Sequence, residues 1–195
     1  MAYKKPVKTY KGRIQETTIG ADLKLGGESV LPFYTFDGDV GNKPAIGMEI
    51  WDIFPENWPE DVLNIFKDVA DDPVKWAKFC IEKFSPDFIC IKFEGANPDG
   101  EDRSPEQCAE VAKNLSENID IPIVIAGCEN VAKNGKIFTK IAEAVTNKNY
   151  VFLSAVEDNY KEVGAAVGLA YGNIVAAESS VDLNLAKQLN ILITQ

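Results

Sequence analysis

From residue 45 onward short apolar runs recur along the chain, and each is followed by a stretch whose apolar residues stand three or four positions apart. The runs are 45–50 (Ala-Ile-Gly-Met-Glu-Ile), 88–93 (Phe-Ile-Cys-Ile-Lys-Phe), 121–126 (Ile-Pro-Ile-Val-Ile-Ala), 150–154 (Tyr-Val-Phe-Leu-Ser) and 173–177 (Asn-Ile-Val-Ala-Ala). Such runs, with little polar alternation, are those of buried parallel strands. The stretches between them carry helix signals. Asp72-Pro73 offers an N-cap followed by proline at the first helical position, and Val74, Ala77, Cys80, Ile81 and Phe84 then share one face. Ser104-Pro-Glu-Gln107 is a capping box leading into Cys108, Val111, Ala112 and Leu115. Ile137, Ile141 and Val145 repeat the spacing, as do Val163, Val167 and Ala170. The last helix is capped by Ser179-Ser-Val-Asp182 and has its apolar stripe at Leu185, Leu189 and Leu192.

The first part of the chain reads differently. Residues 11–27 alternate loosely, are enriched in Thr and Ile, and contain Gly20-Ala-Asp22 as a turn, which predicts a β-hairpin. Residues 26–39, rich in Gly, Pro and aromatics without a period, predict an ordered loop. The division is thus an N-terminal hairpin and loop over 1–44 and a β/α region over 45–195.

Five strand-then-helix steps in a row predict an α/β fold with a parallel sheet and right-handed crossovers. A doubly wound sheet and a TIM (β/α)8 barrel both satisfy that. No Gly-x-Gly-x-x-Gly run links a strand to a helix, and an N-terminal hairpin commonly closes the bottom of a barrel, so the barrel is preferred. A full barrel takes about 250 residues, whereas this chain stops at Gln195 inside the fifth helix. The expectation is a partial barrel with about five of its eight β/α units. The sequence is then either a fragment or an open five-stranded sheet with an exposed edge.

Composition narrows the chemistry. A net charge of −10, from 30 acidic and 20 basic residues, argues against a nucleic-acid binder, whose affinity comes largely from Lys and Arg displacing counterions. The same charge disfavours an anionic membrane surface. No apolar h-region follows the basic N-terminus and no stretch approaches the roughly 18 apolar residues of a spanning helix, which predicts a cytoplasmic protein. Cys80, Cys90, Cys108 and Cys128 stand far apart, without the close pairs of zinc or iron-sulfur sites, and read as reduced packing residues. Histidine is absent, so the chain offers no imidazole base, no His zinc ligand and no His ligand to a haem iron or a cobalt.

Four segments carry a resemblance. They are Gly26-Gly-Glu-Ser-Val-Leu-Pro-Phe, Asn42-Lys-Pro-Ala-Ile-Gly-Met-Glu-Ile-Trp-Asp52, Glu157-Asp-Asn-Tyr-Lys161 and Asp182-Leu-Asn-Leu-Ala-Lys-Gln-Leu-Asn-Ile-Leu-Ile193. Together they resemble the small (delta) subunit of the corrinoid iron-sulfur protein, whose archaeal counterpart is the delta subunit of the acetyl-CoA decarbonylase/synthase complex. The likeness runs over residues 12–195 and lacks the last three strand-helix units. It implies a TIM-barrel subunit paired with a large subunit that alone carries the [4Fe-4S] cluster, with a corrinoid (cobalamin) shared at their contact. It also implies a methyl carrier of the reductive acetyl-CoA (Wood-Ljungdahl) pathway, taking a methyl group from a methyltetrahydropterin through a methyltransferase and delivering it to acetyl-CoA synthase. The chain itself would be a non-catalytic or accessory subunit. The absence of cluster cysteines and of an Asp-x-His-x-x-Gly handle agrees with that assignment.

In a parallel barrel, ligand-facing residues lie just past the carboxyl ends of the strands. Here these are Glu49 and Asp52, Glu94 and Asn97, Cys128, Glu157 and Asn159, and Glu178. One reading is a polar mouth that faces the corrinoid's amide side chains; the other is a solvated rim that caps helices. Glu49 interrupts an apolar strand, and a buried carboxylate is costly unless paired, although the strand could also end at Met48. Lys92 invites an aldolase-like Schiff base, but Glu94 shares its strand face and would hold it charged as an ion pair. Cys128 has no imidazole to activate it and reads as packing. Phe54 and Trp58, between two prolines, either present a protein contact or fold back over the first helix. The rival function is a free-standing pterin-dependent methyltransferase of the related barrel type, with Glu49, Glu94 and Asn97 on the pterin.

Overall fold

The computed structural model describes residues 3, 12–31, 36 and 38–194. The start of the expected hairpin at residue 11 and residues 32–35 and 37 of the expected loop lie outside them. The hairpin consists of β1 (Thr17–Ile19) and β2 (Leu23–Leu25), antiparallel, with Ile19 opposite Leu23. Gly20 turns the chain at φ 61°, and a Cβ there would come within 2.8 Å of the Pro122 ring, so only glycine both adopts the left-handed backbone and fits.

All five strands expected from the apolar runs are present in one parallel sheet. They are β3 (Gly47–Trp51), β4 (Phe88–Lys92), β5 (Ile123–Ala126), β6 (Val151–Ala155) and β7 (Ile174–Ala177), paired in chain order. Each crossover returns to the next strand in the same direction, whereas a doubly wound sheet reverses direction part-way. The helices α1 (Glu60–Phe66), α2 (Pro73–Phe84), α3 (Pro105–Asn118), α4 (Val131–Ala144) and α5 (Tyr160–Val163) pack on one face, and α6 (Leu183–Ile193) follows β7. Among the described residues β3 and β7 each pair on one side only, so the sheet is an open arc and not a closed barrel.

Alternation along the strands sorts their residues. Ile50, Ile89, Ile91, Ile123, Ile125 and Phe152 meet Trp76, Ala77, Cys80, Leu115, Ile137, Phe138 and Ile141 from the helices in one dry core. On the opposite face, Val124 and Val151 form a second cluster with Ile19 of the hairpin, bordered by Leu25, Cys90 and Leu153. The hairpin therefore covers the amino-terminal end of that face, tied down by Gly20 N–H donating to the Asn149 carbonyl at 2.9 Å. The carboxyl end of the face stays open.

The local signals act as expected at most helix ends. The Asp72 side chain accepts from the amides of Val74 and Lys75, and Asp182 accepts from those of Asn184 and Leu185. Ser104 and Gln107 close a reciprocal capping box at 3.3 and 2.8 Å. One expectation changes. Residues 163–170 do not form one α-helix, because α5 passes at once into a π-helix over Gly164–Ala170. Val163 and Val167 stay buried, but the wider i→i+5 winding turns Ala170 out to solvent. In α6, Leu189 is buried while Leu192 is 43% exposed.

Candidate functional site: the carboxyl end of the open sheet

Residues on the open face alternate with those of the core, so Glu49 and Trp51 of β3 stand beside Cys90 and Lys92 of β4. Strand β3 continues through Trp51, and Glu49 is solvent-exposed inside it because, among the described residues, no helix covers this face, not because the strand has ended. Its carboxylate accepts the Trp51 indole N–H at 2.9 Å. Lys92 places its ammonium 5.0 Å from the Trp51 ring centroid and 2.8 Å from a Glu94 oxygen. The other Glu94 oxygen accepts from the Asn97 amide at 3.2 Å. Five side chains from the ends of β3 and β4 thus form one connected polar constellation around an indole.

Its electrostatics follow from the contacts. Burial alone would lower the Lys92 pKa, but the hydrogen bond and charge of Glu94, with the charges of Glu49 and Glu129, raise it. Burial alone would raise Glu94, yet Lys92 and Asn97 hold it below the ordinary carboxylate value. The pair is charged at neutral pH, which leaves Lys92 unsuited to Schiff-base attack.

The remaining expected mouth residues are disposed differently. Asp52 is 3% exposed and both its oxygens are taken: one accepts Gly95 N–H at 2.8 Å, the other accepts from Arg103 Nη1 at 3.3 Å. Burial pushes its pKa up against those two partners. Asn159 is buried, accepting Val156 N–H at 2.8 Å and donating to the Ser154 carbonyl, so it holds the turn after β6. Cys128 is buried, with its thiol 3.3 Å from Asn134 Oδ1. Glu157 and Glu178 are exposed past β6 and β7. Of the aromatic loop, Trp58 folds back, edge-on to Trp51 and Trp76 at 5.5 Å each, whereas Phe54 stays at 36% exposure. Sequence reasoning passed over Trp51, Glu129 and Arg103. The first sits two positions from Glu49 on the same face, a spacing that could have revealed it; Arg103 joins Asp52 across 51 positions and leaves no local signal.

The donor set suits a bulky ligand edged with amides, since it offers carboxylate and amide oxygens, an amide N–H₂ and an aromatic surface, and no imidazole to bind a cobalt. It does not suit an iron-sulfur cluster. Burial pushes the Cys80 thiol to about 11, Cys90 and Cys108 to about 12, and no three metal-ligating side chains gather among the described residues.

Comparison with known proteins decides the family. The sequence profile described as CO dehydrogenase/acetyl-CoA synthase delta subunit matches residues 16–195. The chain belongs to this delta-subunit family. Among its relatives, the acetyl-CoA decarbonylase/synthase complex subunit delta of Methanocaldococcus jannaschii is 32% identical over 195 residues, which cover 95% of this chain and 47% of that one. The subunit of the same name from Archaeoglobus fulgidus is 29% identical over 93% of this chain and 42% of its own length. Subunit delta 1 from Methanosarcina thermophila is 29% identical over 88% of this chain and 39% of its own. The chain thus spans less than half the length of these curated relatives of the delta-subunit family. Among the described residues, no helix is long and apolar enough to cross a membrane.

Proposed function

We propose that this chain is the methyl-carrier delta subunit, or a piece of one, built as a partial TIM barrel whose open carboxyl end faces a corrinoid. The observation that supports the reading best is the connected set Glu49, Trp51, Lys92, Glu94 and Asn97 at the carboxyl ends of adjacent parallel strands, where ligands of β/α folds bind. The corrinoid would supply the methyl-transfer chemistry at its cobalt. The residues of this chain would hold the ring edge, exclude water with the Trp51 indole, and keep Glu94 fixed and ionised beside Asn97. Glu157 and Glu178 would extend the rim, and Cys128 would pack beneath it. The partner would be a large corrinoid iron-sulfur subunit that contributes the [4Fe-4S] cluster, with a methyltransferase and acetyl-CoA synthase docking in turn. The pathway would be the reductive acetyl-CoA route.

The test is reconstitution with the large subunit. Glu94→Ala or Asn97→Ala should lower the rate of corrinoid methylation about tenfold, the worth of one well-placed polar contact, with little change in melting temperature. Unchanged methylation with a large stability loss would make the constellation structural. Tight binding of methyltetrahydrofolate to the chain alone would favour a pterin methyltransferase instead.

A further inference from the structure

The turn carrying Glu94 and Asn97 is held at a single residue between them, and the holding groups come from elsewhere. Gly95 donates its N–H to Asp52 Oδ1 at 2.8 Å and accepts from the Arg103 backbone N–H at 2.9 Å. Arg103 in turn places Nη1 2.7 Å from the Asp52 carbonyl and 3.3 Å from its Oδ2, while its Nε donates to Glu101 at 2.8 Å. No side chain fits at Gly95, where a Cβ would lie 2.7 Å from Ile53, 2.8 Å from the Asp52 carboxylate and 2.9 Å from Arg103. The segment beyond is folded back as well, with the amides of Gly100 and Asp102 donating to the Asn97 carbonyl and Asp102 paired with Lys133 of α4.

A carboxylate with a fully buried side chain is costly to keep, and here it faces away from the open sheet toward a glycine amide and a guanidinium. We propose that Asp52 is the positioning residue of the mouth: it touches no ligand, and acts through Gly95 and Arg103 to fix the turn that aims Glu94 and Asn97. The functional half of this inference rests on Glu94 and Asn97 being ligand-facing; the mechanical half does not. Asp52→Asn keeps the size but turns an N–H₂ toward either the Gly95 amide or Arg103, so one bond is lost whichever way the amide lies. Arg103→Lys keeps the charge and loses the planar guanidinium whose Nη1 reaches Asp52 while its Nε is held by Glu101.

Amide hydrogen exchange on the full chain, together with methylation of the reconstituted complex, tests both halves. Asp52→Asn should speed exchange about tenfold or more at residues 94–103 and leave the strands unchanged, with Arg103→Lys giving a weaker version of the same local change. Asn97→Ala should then cost much less methylation in the Asp52→Asn background than in the wild type, because an unaimed side chain has little left to lose. Unchanged exchange at 94–103, or exchange that rises throughout the sheet, overturns the proposal, as does full additivity of the two substitutions when each alone slows methylation. Should Asn97→Ala alone leave methylation untouched while Asp52→Asn still loosens only 94–103, the ligand-facing reading fails and the positioning device stands.

Discussion

The Lys92 ammonium lies 2.8 Å from the carboxylate of Glu94, the first residue of the short turn (Glu94–Ala96) that follows β4, with side chains only 25% and 18% exposed. Neither charge is free to leave its partner without facing a half-dry site, so the pair acts as one unit whose two ends titrate at opposite extremes of pH.

The pair sets a pH window for stability. Lys92 is raised above 10.5, so its contribution is complete below that value and is lost as pH climbs through the folded value; Glu94 is lowered from 4.5, so its contribution is present above 4.5 and disappears as pH falls through the folded value. Asp52, raised above 3.8 chiefly by burial, has the opposite sign: it costs stability above its folded value and returns it on acidification. Glu94→Gln should lower stability by about 1–3 kcal/mol in the plateau and flatten the alkaline fall. Urea midpoints at neutral pH and near pH 11 measure both effects.

Borohydride treatment in the presence of a small keto acid should leave Lys92 unmodified at neutral pH, because an amine held protonated by Glu94, Glu49 and Glu129 is not a nucleophile. A trapped adduct at Lys92 by peptide mass mapping would show instead that the ion pair opens readily.

Gly47 faces Phe88 across β3 and β4, and an added Cβ would sit 2.2 Å from the Phe88 ring. Gly47→Ala should destabilise by about 1–3 kcal/mol, because the ring must leave its place on the open face or the two strands must part. Thermal melts compared with Gly100→Ala, whose only neighbour within 4 Å is a carbonyl at 3.6 Å, separate this clash from a generic glycine effect.

Thiol titration offers a fourth check. Cys80 and Cys108 are fully buried, and burial raises Cys80 to about 11 and Cys90 and Cys108 to about 12, so an aromatic disulfide reagent at pH 8 should label the native chain slowly and all four thiols promptly in denaturant. The purified chain should also be colourless and free of iron. Stoichiometric iron-sulfur absorbance in it would contradict the assignment of the cluster to a partner.

What could be read from the sequence was mostly what is local. The five strands, the hairpin turn at Gly20 and the caps at Asp72, Ser104 and Asp182 depend on neighbours within four positions, and the structure keeps each of them. Lys92 and Glu94 could be paired by their i, i+2 spacing, and they do pair, although β4 ends at Lys92 and Glu94 reaches it from the turn that follows instead of from the strand face expected. Glu49 and Asp52 sit three residues apart and look alike in sequence, yet one is exposed and one buried. Their difference is decided by which face the helices cover and by Arg103, 51 positions away. The π-winding after Val163 was equally hidden, since Val163 and Val167 suit an α-helix and only Ala170 records the change.

The hairpin across the amino-terminal end of the sheet has a consequence for the order of folding. Ile19 finds its apolar partners on β5 and β6, and Asn149 reaches Gly20 over a separation of 129 residues. During synthesis the hairpin precedes its docking face, which is complete only once both Val124 and Val151 have been made. At a synthesis rate of roughly 5–20 residues per second that wait is on the order of ten seconds. For that time Ile19, Leu23 and Leu25 travel exposed on a two-stranded ribbon too small to be stable alone. The hairpin thus waits for strands made long after it, and its docking marks the point at which β5 and β6 have found their register.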